Sequence, residues 1–279
     1  MGIETSGPDV SVARVIEEAR DALPGADIYC LLQHAVGRRK EFLLAHQDYI
    51  LPKKELSLWK ECKSRRLEGE PCAYITGTKE FYSLLFEVDS STLIPRPETE
   101  LLVDEIIDIC PASVLDVGTG CGNIAVAVKY QMRECNVLAL DVSRNAIRMA
   151  RRNSRRVLGG NAIKFIHGSY FEGLSGTRYD VIASNPPYIK RADIKTLQRE
   201  VRDYEPLSAL DGGEDGLDGY RIILKEGAGF LTDGGRIVLE IDERLLGGIR
   251  FLAEENGYII EKIGKDLSER DRMVVLGIK

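Results

Sequence analysis

The stretch SVLDVGTGCGNIAVAV, from Ser113 to Val128, decides the fold of this chain. It begins as a short strand, passes through three glycines at alternate positions, and continues into an apolar segment that favours a helix. A strand that leads through a glycine turn into a helix is the start of a β-α-β unit. The stretch therefore predicts a sheet of parallel strands joined by helices.

The same rhythm continues to the end of the chain. The helix RNAIRMARRNSRRVL follows the second strand, and the last two strands are close in sequence with no helix between them, so that one is expected to run antiparallel. We predict an α/β fold with a doubly wound, mainly parallel, seven-stranded Rossmann-like sheet. After the first strand, the others are NVLALDVS (136–143), IKFIHGS (163–169), YDVIASN (179–185), GGRIVLEI (234–241), YIIEKIGKD (258–266) and RMVVLGIK (272–279).

The residues before this sheet have a different pattern. The first 75 or so favour helices, interrupted at Pro24-Gly25, Gly37 and Gly69. Residues 79–95 alternate enough for two short strands around Asp89-Ser90, and RPETELLVDEIIDIC (96–110) predicts a helix with Pro97 in its first turn. We therefore divide the chain into a helical domain (1–77), a hairpin linker (78–96) and an α/β domain (97–279).

Composition limits the classes of function. The chain has 279 residues, of which 44% are hydrophobic and 29% charged, and its net charge is −6. That charge argues against stable binding of duplex nucleic acid by bulk electrostatics. Six cysteines without a C-x-x-C pair and three scattered histidines predict no metal site. No signal peptide or membrane-spanning run is present, so we expect a cytoplasmic protein that does not bind membranes.

The glycine turn and the tip of the second strand form a candidate nucleoside site. The G-x-G-x-G spacing differs from that of nicotinamide sites, and no phosphate-binding Lys-Ser/Thr follows it. An acid at the end of the second strand is placed to accept both ribose hydroxyls, although it could instead cap the next helix. S-adenosylmethionine fits this pattern better than NAD. The candidate cofactor-binding residues here are Asp116, Gly118, Thr119, Gly120, Cys121, Gly122 and Asp141.

The segment GSYFEG, which follows the third strand, lies where an adenine ring would be expected. Tyr170 or Phe171 could stack on the ring, and Ser169 could bond its edge. An aromatic side chain buried in the core is an equally good interpretation of Phe171 and a weaker one of Tyr170.

The tetrad NPPY, Asn185 to Tyr188, ends a predicted central strand beside the glycine turn. It could be a simple turn, but it also suits the methylation of a planar NH2 group. The Asn185 side-chain oxygen and the Pro186 carbonyl can accept the two N–H bonds, Pro187 stiffens that carbonyl, and Tyr188 offers a flat face. Fixed acceptors and orientation would then supply most of the rate without a strong base. Asn185, Pro186 and Tyr188 are the candidate catalytic residues, and all four are candidate substrate-binding residues.

The helix after Asp141 carries five arginines, namely Arg148, Arg151, Arg152, Arg155 and Arg156. A solvated helix face is the preferred interpretation, and an RNA-binding or partner-binding patch is the alternative.

These motifs resemble the HemK/PrmC family of protein-glutamine methyltransferases over essentially the whole chain. The similar blocks include LIPRPETELLV, DVGTGCG, ALDVS, NPPYI and EPLSALDGGEDGLDGYR. The resemblance implies that residues 118–122 hold the methionine part of S-adenosylmethionine, that Asp141 holds its ribose, and that Tyr170 lies near its adenine. It further implies that residues 185–188 bind the glutamine amide. Asn185 is also a candidate cofactor-binding residue. Ser169 departs from an acid that is frequent in the family.

The substrate that the resemblance implies is the glutamine of the Gly-Gly-Gln motif in peptide chain release factors. Two related activities remain open, a ribosomal-protein glutamine methyltransferase and a nucleic-acid adenine methyltransferase, because adenine presents the same NH2 group. The helical domain is expected to dock the protein substrate. A non-catalytic nucleoside sensor would not need the NPPY tetrad.

Overall fold

The computed structural model describes residues 10–174 and 176–279. The chain divides into two compact units, one ending at Gly77 and the other spanning Thr78–Lys279. In its described part the first unit contains five helices around a core that includes Leu31, Leu32 and Trp59. Gly37 ends the second helix with a φ of +68°, as its sequence predicts. The helices are α1 (Val12–Ala19), α2 (Gly25–Val36), α3 (Lys40–Ala45), α4 (Lys53–Leu67) and α5 (Cys72–Thr76).

The second unit begins with a hairpin of β1 (Thr78–Phe81) and β2 (Leu84–Glu87). The predicted turn at Asp89-Ser90 is wrong, because the chain reverses at Tyr82 and Ser83, which both have positive φ. The Tyr82 backbone N–H donates to Glu100 at 2.7 Å, and this bond offsets the strain of that conformation. The hairpin belongs to the same compact unit as the sheet that follows.

The large sheet has seven strands in the order β5-β4-β3-β6-β7-β9-β8, and β9 runs antiparallel to both of its neighbours. This confirms the predicted mainly parallel sheet with one reversed strand. Buried apolar residues occupy the central strands almost continuously, as expected for a sheet covered on both faces. The strands are β3 (Ser113–Val117), β4 (Asn136–Asp141), β5 (Lys164–His167), β6 (Tyr179–Ser184), β7 (Leu231–Glu240), β8 (Tyr258–Lys265) and β9 (Asp271–Ile278).

Helices cover this sheet and connect its strands. A 3-10 turn, Pro97–Thr99, leads into the first helix, which confirms Pro97 in the opening turn. Residues Leu115 and Val117 of β3 belong to the cluster formed with the helices near the C-terminus, whereas Asp116 between them contacts the helix after β3. The helices are α6 (Glu100–Ile109), α7 (Asn123–Gln131), α8 (Arg144–Leu158), α9 (Arg199–Arg202), α10 (Asp218–Gly227) and α11 (Leu246–Glu255).

The strand order reverses between β3 and β6. The chain runs from β3 outward to β4 and β5, then returns to place β6 on the other side of β3. Val117 pairs with Ser184 in the register of these two strands, and the Ser184 hydroxyl donates to the Val117 carbonyl at 2.7 Å. The glycine turn and the NPPY tetrad therefore leave the sheet side by side, at the point where doubly wound sheets bind their ligands.

Candidate active site

A cleft of about 1000 Å³, part of it open to solvent, lies at the carboxyl ends of β3, β4 and β6. The predicted site residues that line it are Gly118, Thr119, Gly120, Cys121, Asp141, Ser169, Tyr170, Asn185, Pro186 and Pro187. Asp116, Gly122 and Tyr188 do not line it. The structure therefore brings most of the candidate residues, from four loops, to one cleft.

The glycine turn leaves its backbone open to a ligand. Gly118 and Gly120 have φ values of +75° and +57°, and a Cβ built on either residue meets no other atom within 4 Å. The backbone N–H groups of Gly118 and Thr119 both donate to the Leu140 carbonyl, at 3.0 and 2.9 Å. The turn is thus fixed to β4 while the space above its two glycines stays empty.

Gly122 has a different role from the other two glycines. It precedes α7 with a φ of +86°, and a Cβ built there lies 3.1 Å from the Ala150 side chain of α8. Gly122 therefore permits the close approach of two helices and does not form part of the cleft wall.

Asp116 lies beneath the turn and is fully buried. Its Oδ2 accepts from the Thr119 hydroxyl at 2.6 Å and from the Ala125 backbone N–H at 3.2 Å. Its Oδ1 accepts no hydrogen bond from the described residues. Burial raises the pKa of Asp116 to about 7, against the opposing effect of these hydrogen bonds. Asp116 therefore holds the glycine turn, and a direct contact with the cofactor stays a prediction.

Asp141 ends β4 and turns its carboxylate toward the cleft. Oδ2 accepts from the Gly120 backbone N–H and Oδ1 from that of Ser143, both at 2.8 Å. Ser143 itself caps α8, where its hydroxyl accepts from the Ala146 N–H. Burial raises the pKa of Asp141, and the two backbone hydrogen bonds act in the opposite direction. Each oxygen keeps a further lone pair, so that the pair can still accept two ribose hydroxyls.

The two aromatic residues after β5 take different positions. Phe171 is buried and stacks on Phe230 with 4.8 Å between ring centroids, which makes it a core residue. Tyr170 lines the cleft with a positive φ of 47°, and burial raises the pKa of its hydroxyl. Ser169 is exposed at the cleft, where its backbone N–H donates to Glu172.

The NPPY tetrad is fixed by the segment that follows it. The Ile189 N–H donates to the Leu210 carbonyl and the Gly212 N–H donates to the Ile189 carbonyl, at 3.0 and 2.8 Å. A Cβ built at Gly212 would lie 2.8 Å from the Pro187 carbonyl oxygen, so that only glycine permits this approach. Tyr188 packs against the main core, and burial raises the pKa of its hydroxyl.

Sequence reasoning missed two residues that contact Asn185. The Asn185 Nδ2 donates to the Thr99 Oγ1 at 3.2 Å, and the Thr99 hydroxyl donates to the Glu240 Oε2 at 2.5 Å. Glu240 is 2% exposed, at the end of β7. The sequence did contain a signal for Glu240, which is the single acid in the apolar run IVLEI. A carboxylate in a buried strand needs a polar partner, so that such a residue predicts a buried hydrogen bond.

Sequence reasoning also missed the contacts of Glu205 beside the cleft, which we call the Glu205 clamp. The buried Glu205 carboxylate accepts from the Ile94 backbone N–H at 3.1 Å and forms an ion pair with Arg96, which lines the cleft. This clamp joins the segment before α6 to the segment after α9. Among the described residues that line the cleft Arg96 is the one cationic side chain, and its charge is already paired.

The arginine-rich helix α8 is partly engaged by the rest of its unit. Arg152 and Arg156 form ion pairs with Glu87 of the hairpin, and Arg151 donates to the Phe165 carbonyl. A partner-binding role for the remaining arginines stays a prediction.

Among the residues that the structure describes, no helix combines the length and the apolar character needed to cross a bilayer.

Two protein families match parts of this chain. Residues 96–202 match the family described as "Methyltransferase small domain", and residues 11–77 match the "PrmC N-terminal domain". Among solved structures, a methyltransferase from Pyrococcus furiosus covers 79% of this chain and 98% of its own, with a TM-score of 0.53 and 21% identity. A ribosomal protein L11 methylase from Lactobacillus delbrueckii covers 66% of this chain and 80% of its own, with a TM-score of 0.51 and 20% identity. These two likenesses show the methyltransferase fold.

Curated relatives are closer in sequence. A release factor glutamine methyltransferase from Geobacter sulfurreducens is 44% identical over 76% of this chain and 74% of its own length. One from Aliivibrio fischeri is 36% identical over 95% of this chain and 94% of its own length. A bifunctional methyltransferase from Rickettsia prowazekii is 34% identical over 95% of this chain, which spans 57% of that longer relative. This chain belongs to the family of release factor glutamine methyltransferases.

Proposed function

We propose that this protein transfers a methyl group from S-adenosylmethionine to the side-chain amide nitrogen of the glutamine in the Gly-Gly-Gln motif of peptide chain release factors. One observation carries the proposal. Residues 118–121 of the glycine turn and Asp141 line the same cleft as residues 185–187 of the NPPY tetrad, at the switch point of the sheet. A nucleoside site and a site for a planar NH2 group are thereby adjacent.

The residues of the cleft fit the cofactor. Asp141 offers two carboxylate oxygens to the ribose hydroxyls, and the empty space above Gly118 and Gly120 allows a ligand to approach the backbone. The Arg96 charge is paired with Glu205, so that the cleft offers no free cation from its described residues for a phosphate. This favours a nucleoside without phosphates over a dinucleotide. When bound, S-adenosylmethionine supplies an electrophilic methyl group on a sulfonium sulfur.

The tetrad binds and orients the substrate amide. An amide nitrogen is a poor nucleophile because its lone pair is delocalised into the carbonyl. The Asn185 Oδ1 and the Pro186 carbonyl accept its two N–H bonds and hold the nitrogen in the direction of attack. These fixed dipoles favour the pyramidal nitrogen of the transition state over the flat ground state. The nitrogen becomes acidic once the methyl group is attached, so that its proton passes to water and no strong base is needed.

Tyr188 and Asp116 support this arrangement from outside the cleft. Tyr188 packs on the core at the end of the tetrad, and Asp116 holds the glycine turn through Thr119. Contact between the Tyr188 ring and the substrate stays a prediction. We further propose that the helical unit docks the release factor, which is supported by the exposed apolar side chains of Leu44, Ile50 and Leu67. A cytoplasmic location and the absence of stable nucleic-acid binding also stay predictions.

One experiment separates the proposed substrate from its rivals. The protein is incubated with methyl-labelled S-adenosylmethionine and, in separate reactions, with a release factor, ribosomal protein or DNA. Mass spectrometry then locates the label. We expect it on the amide nitrogen of the Gly-Gly-Gln glutamine, and we expect none on a release factor that carries alanine there. Label on ribosomal-protein glutamine or on adenine, with none on the release factor, would overturn the proposal.

A further inference from the structure

A buried carboxylate is connected to Asn185 through one hydroxyl group. The Asn185 Nδ2 donates to the Thr99 Oγ1, which in turn donates to Glu240, and Asn185 is also close enough to hydrogen-bond Glu240 directly. The three residues come from the loop after β6, the turn before α6 and the end of β7. Thr99 and Asn185 both line the cleft but Glu240 does not, so that the carboxylate acts on Asn185 from the protein interior.

Thr99 ends the 3-10 turn that leads into α6 and has helical φ and ψ values of −66° and −18°. Its side chain forms no cap bond with α6 and contacts Asn185 and Glu240 instead. The hydroxyl therefore joins residues that are remote in the sequence.

We propose that Glu240 and Thr99 are positioning residues that fix which end of the Asn185 amide faces the cleft, and that they thereby select a glutamine amide over a carboxylate. This inference rests on the proposed function and concerns the same site. It assigns to the two residues a task in substrate specificity that is separate from binding the cofactor.

The direction of the hydrogen bonds carries the inference. A hydroxyl group has a single hydrogen, and Thr99 gives it to the Glu240 carboxylate. Its oxygen can then only accept from Asn185, which requires the NH2 end of the amide to face Thr99 and leaves Oδ1 for the substrate. A reversed amide would set Oδ1 against the lone pairs of Thr99 and Glu240, and would turn an NH2 group toward the NH2 group of the substrate.

The charge of Glu240 decides whether this direction is enforced. Burial raises the pKa of Glu240 to about 7, against its hydrogen bond from Thr99. Glu98 raises this pKa and Arg272 lowers it, while the hydroxyls of Tyr188 and Tyr220 lie close enough to feel the carboxylate charge. A protonated Glu240 can donate to Thr99, which frees the Thr99 hydrogen for the Asn185 oxygen and permits the reversed amide.

The test compares Glu240→Gln with Glu105→Gln. Glu105 is also a buried glutamate, but it lies on α6 and its carboxylate pairs with Lys262. For each protein one measures the Kd for S-adenosylmethionine, the profile of kcat/KM against pH from 5.5 to 8.5, and the inhibition constant of a release factor whose motif glutamine is replaced by glutamate. Thr99→Val removes the hydroxyl and Thr99→Ser retains it. These two variants test the positioning role if Glu240→Gln does not fold.

In the wild type we expect kcat/KM to fall as the pH drops through the Glu240 pKa and to level off about tenfold lower, because the protonated acid permits the reversed amide without enforcing it. In Glu240→Gln this pH-dependent component of the profile disappears, and kcat/KM at pH 8 falls about tenfold or more. The release factor that carries glutamate in place of the motif glutamine inhibits this variant more strongly than it inhibits the wild type. Thr99→Val behaves like Glu240→Gln, whereas Thr99→Ser and Glu105→Gln behave like the wild type, with cofactor Kd within about twofold throughout.

Failure of the positioning role and failure of the proposed function give different results. If the wild type methylates the release factor but Glu240→Gln and Thr99→Val keep its pH profile and its preference for glutamine, the positioning role is overturned. If the wild type does not methylate the release factor at all, the proposed function itself fails.

Discussion

The Asp141 carboxylate accepts a hydrogen bond of 2.8 Å from the backbone N–H of Gly120, 21 residues earlier in the chain. This bond joins the tip of β4 to the turn that follows β3. The residue proposed to hold the ribose therefore also fixes the glycine turn proposed to hold the methionine part of the cofactor. The two halves of the nucleoside site are stabilised by one side chain.

The Asp141→Ala variant is expected to bind the cofactor more weakly. It loses both acceptors for the ribose and the tie to Gly120, and hydrogen bonds to a charged group contribute about 1.5–3 kcal/mol. We expect the Kd for S-adenosylmethionine, measured by calorimetry, to rise about 10- to 100-fold.

The Asp180→Ala variant is a matched control for this measurement. Asp180 also accepts from backbone N–H groups, those of Ala112 and Ser113 at the start of β3, but these lie at the opposite end of the strands from the cleft. Its cofactor Kd should match that of the wild type. Equal Kd values in Asp141→Ala and the wild type would contradict the ribose assignment.

The Asn185→Ala variant should separate catalysis from cofactor binding. It removes one of the two proposed acceptors for the substrate amide while leaving Asp141 and the glycine turn intact. Removing one fixed dipole from an active site costs about 10²- to 10³-fold in kcat, and we expect a loss of that order. Single-turnover kinetics gives the rate of transfer, and calorimetry gives the cofactor Kd. Unchanged transfer would refute the role of the tetrad.

Two neighbouring glycines should respond differently to substitution by alanine. Both have positive φ, so that either substitution strains the backbone by roughly 1–2 kcal/mol. The Cβ of Gly122→Ala would also meet Ala150 at 3.1 Å, whereas that of Gly120→Ala meets nothing in the protein and occupies space proposed for the cofactor.

Urea unfolding and calorimetry distinguish the two effects. We expect Gly122→Ala to lose more unfolding free energy and Gly120→Ala to lose more cofactor affinity. Equal losses of affinity in the two variants would argue that the space above Gly120 is not used.

The buried carboxyl of Asp116 should make stability depend on pH. Its pKa is about 7 in the folded protein and near 3.8 in the unfolded chain. Between pH 4 and pH 7 the Asp116 carboxyl is protonated in the folded protein and ionised in the unfolded chain. Protonation of Asp116 therefore stabilises the folded state fully below about pH 4, and this stabilisation is lost as the pH rises through about 7.

The Asp116→Asn variant cannot titrate at this position. Its unfolding free energy relative to the wild type should therefore improve by about 1.4 kcal/mol per pH unit between about pH 4 and 7. Urea unfolding at several pH values tests this slope. A difference between the two proteins that does not vary with pH would show that Asp116 is ionised throughout.

Local patterns predicted much of the fold and many of the residues at the cleft. The seven strands, the reversed strand near the C-terminus and the opening turn at Pro97 follow from apolar runs, glycines and prolines that act within a few residues. The hairpin turn was misplaced because Tyr82 and Ser83 are unusual in the left-handed region, and a bond from Tyr82 to the distant Glu100 stabilises them there.

The position of a side chain relative to a cleft was less predictable. The tetrad was found in the sequence, and both Tyr188 and Tyr170 pack against the main core, yet of these two only Tyr170 also lines the cleft. Both are tyrosines in loops at the same edge of the sheet. Their different environments depend on the helices and loops that pack over them, which no local pattern describes.

The sequence by itself determined the sheet, the glycine turn and the tetrad, because each depends on the conformational preferences of neighbouring residues. Only the tertiary structure decided that Thr99 lies between Asn185 and Glu240, which are 86 and 141 positions from it. Contacts at such separations depend on strand order and register, which are set by the packing of the whole sheet against its helices. The physical reason is that a buried carboxylate must find a donor, and the fold alone determines which donor lies within reach.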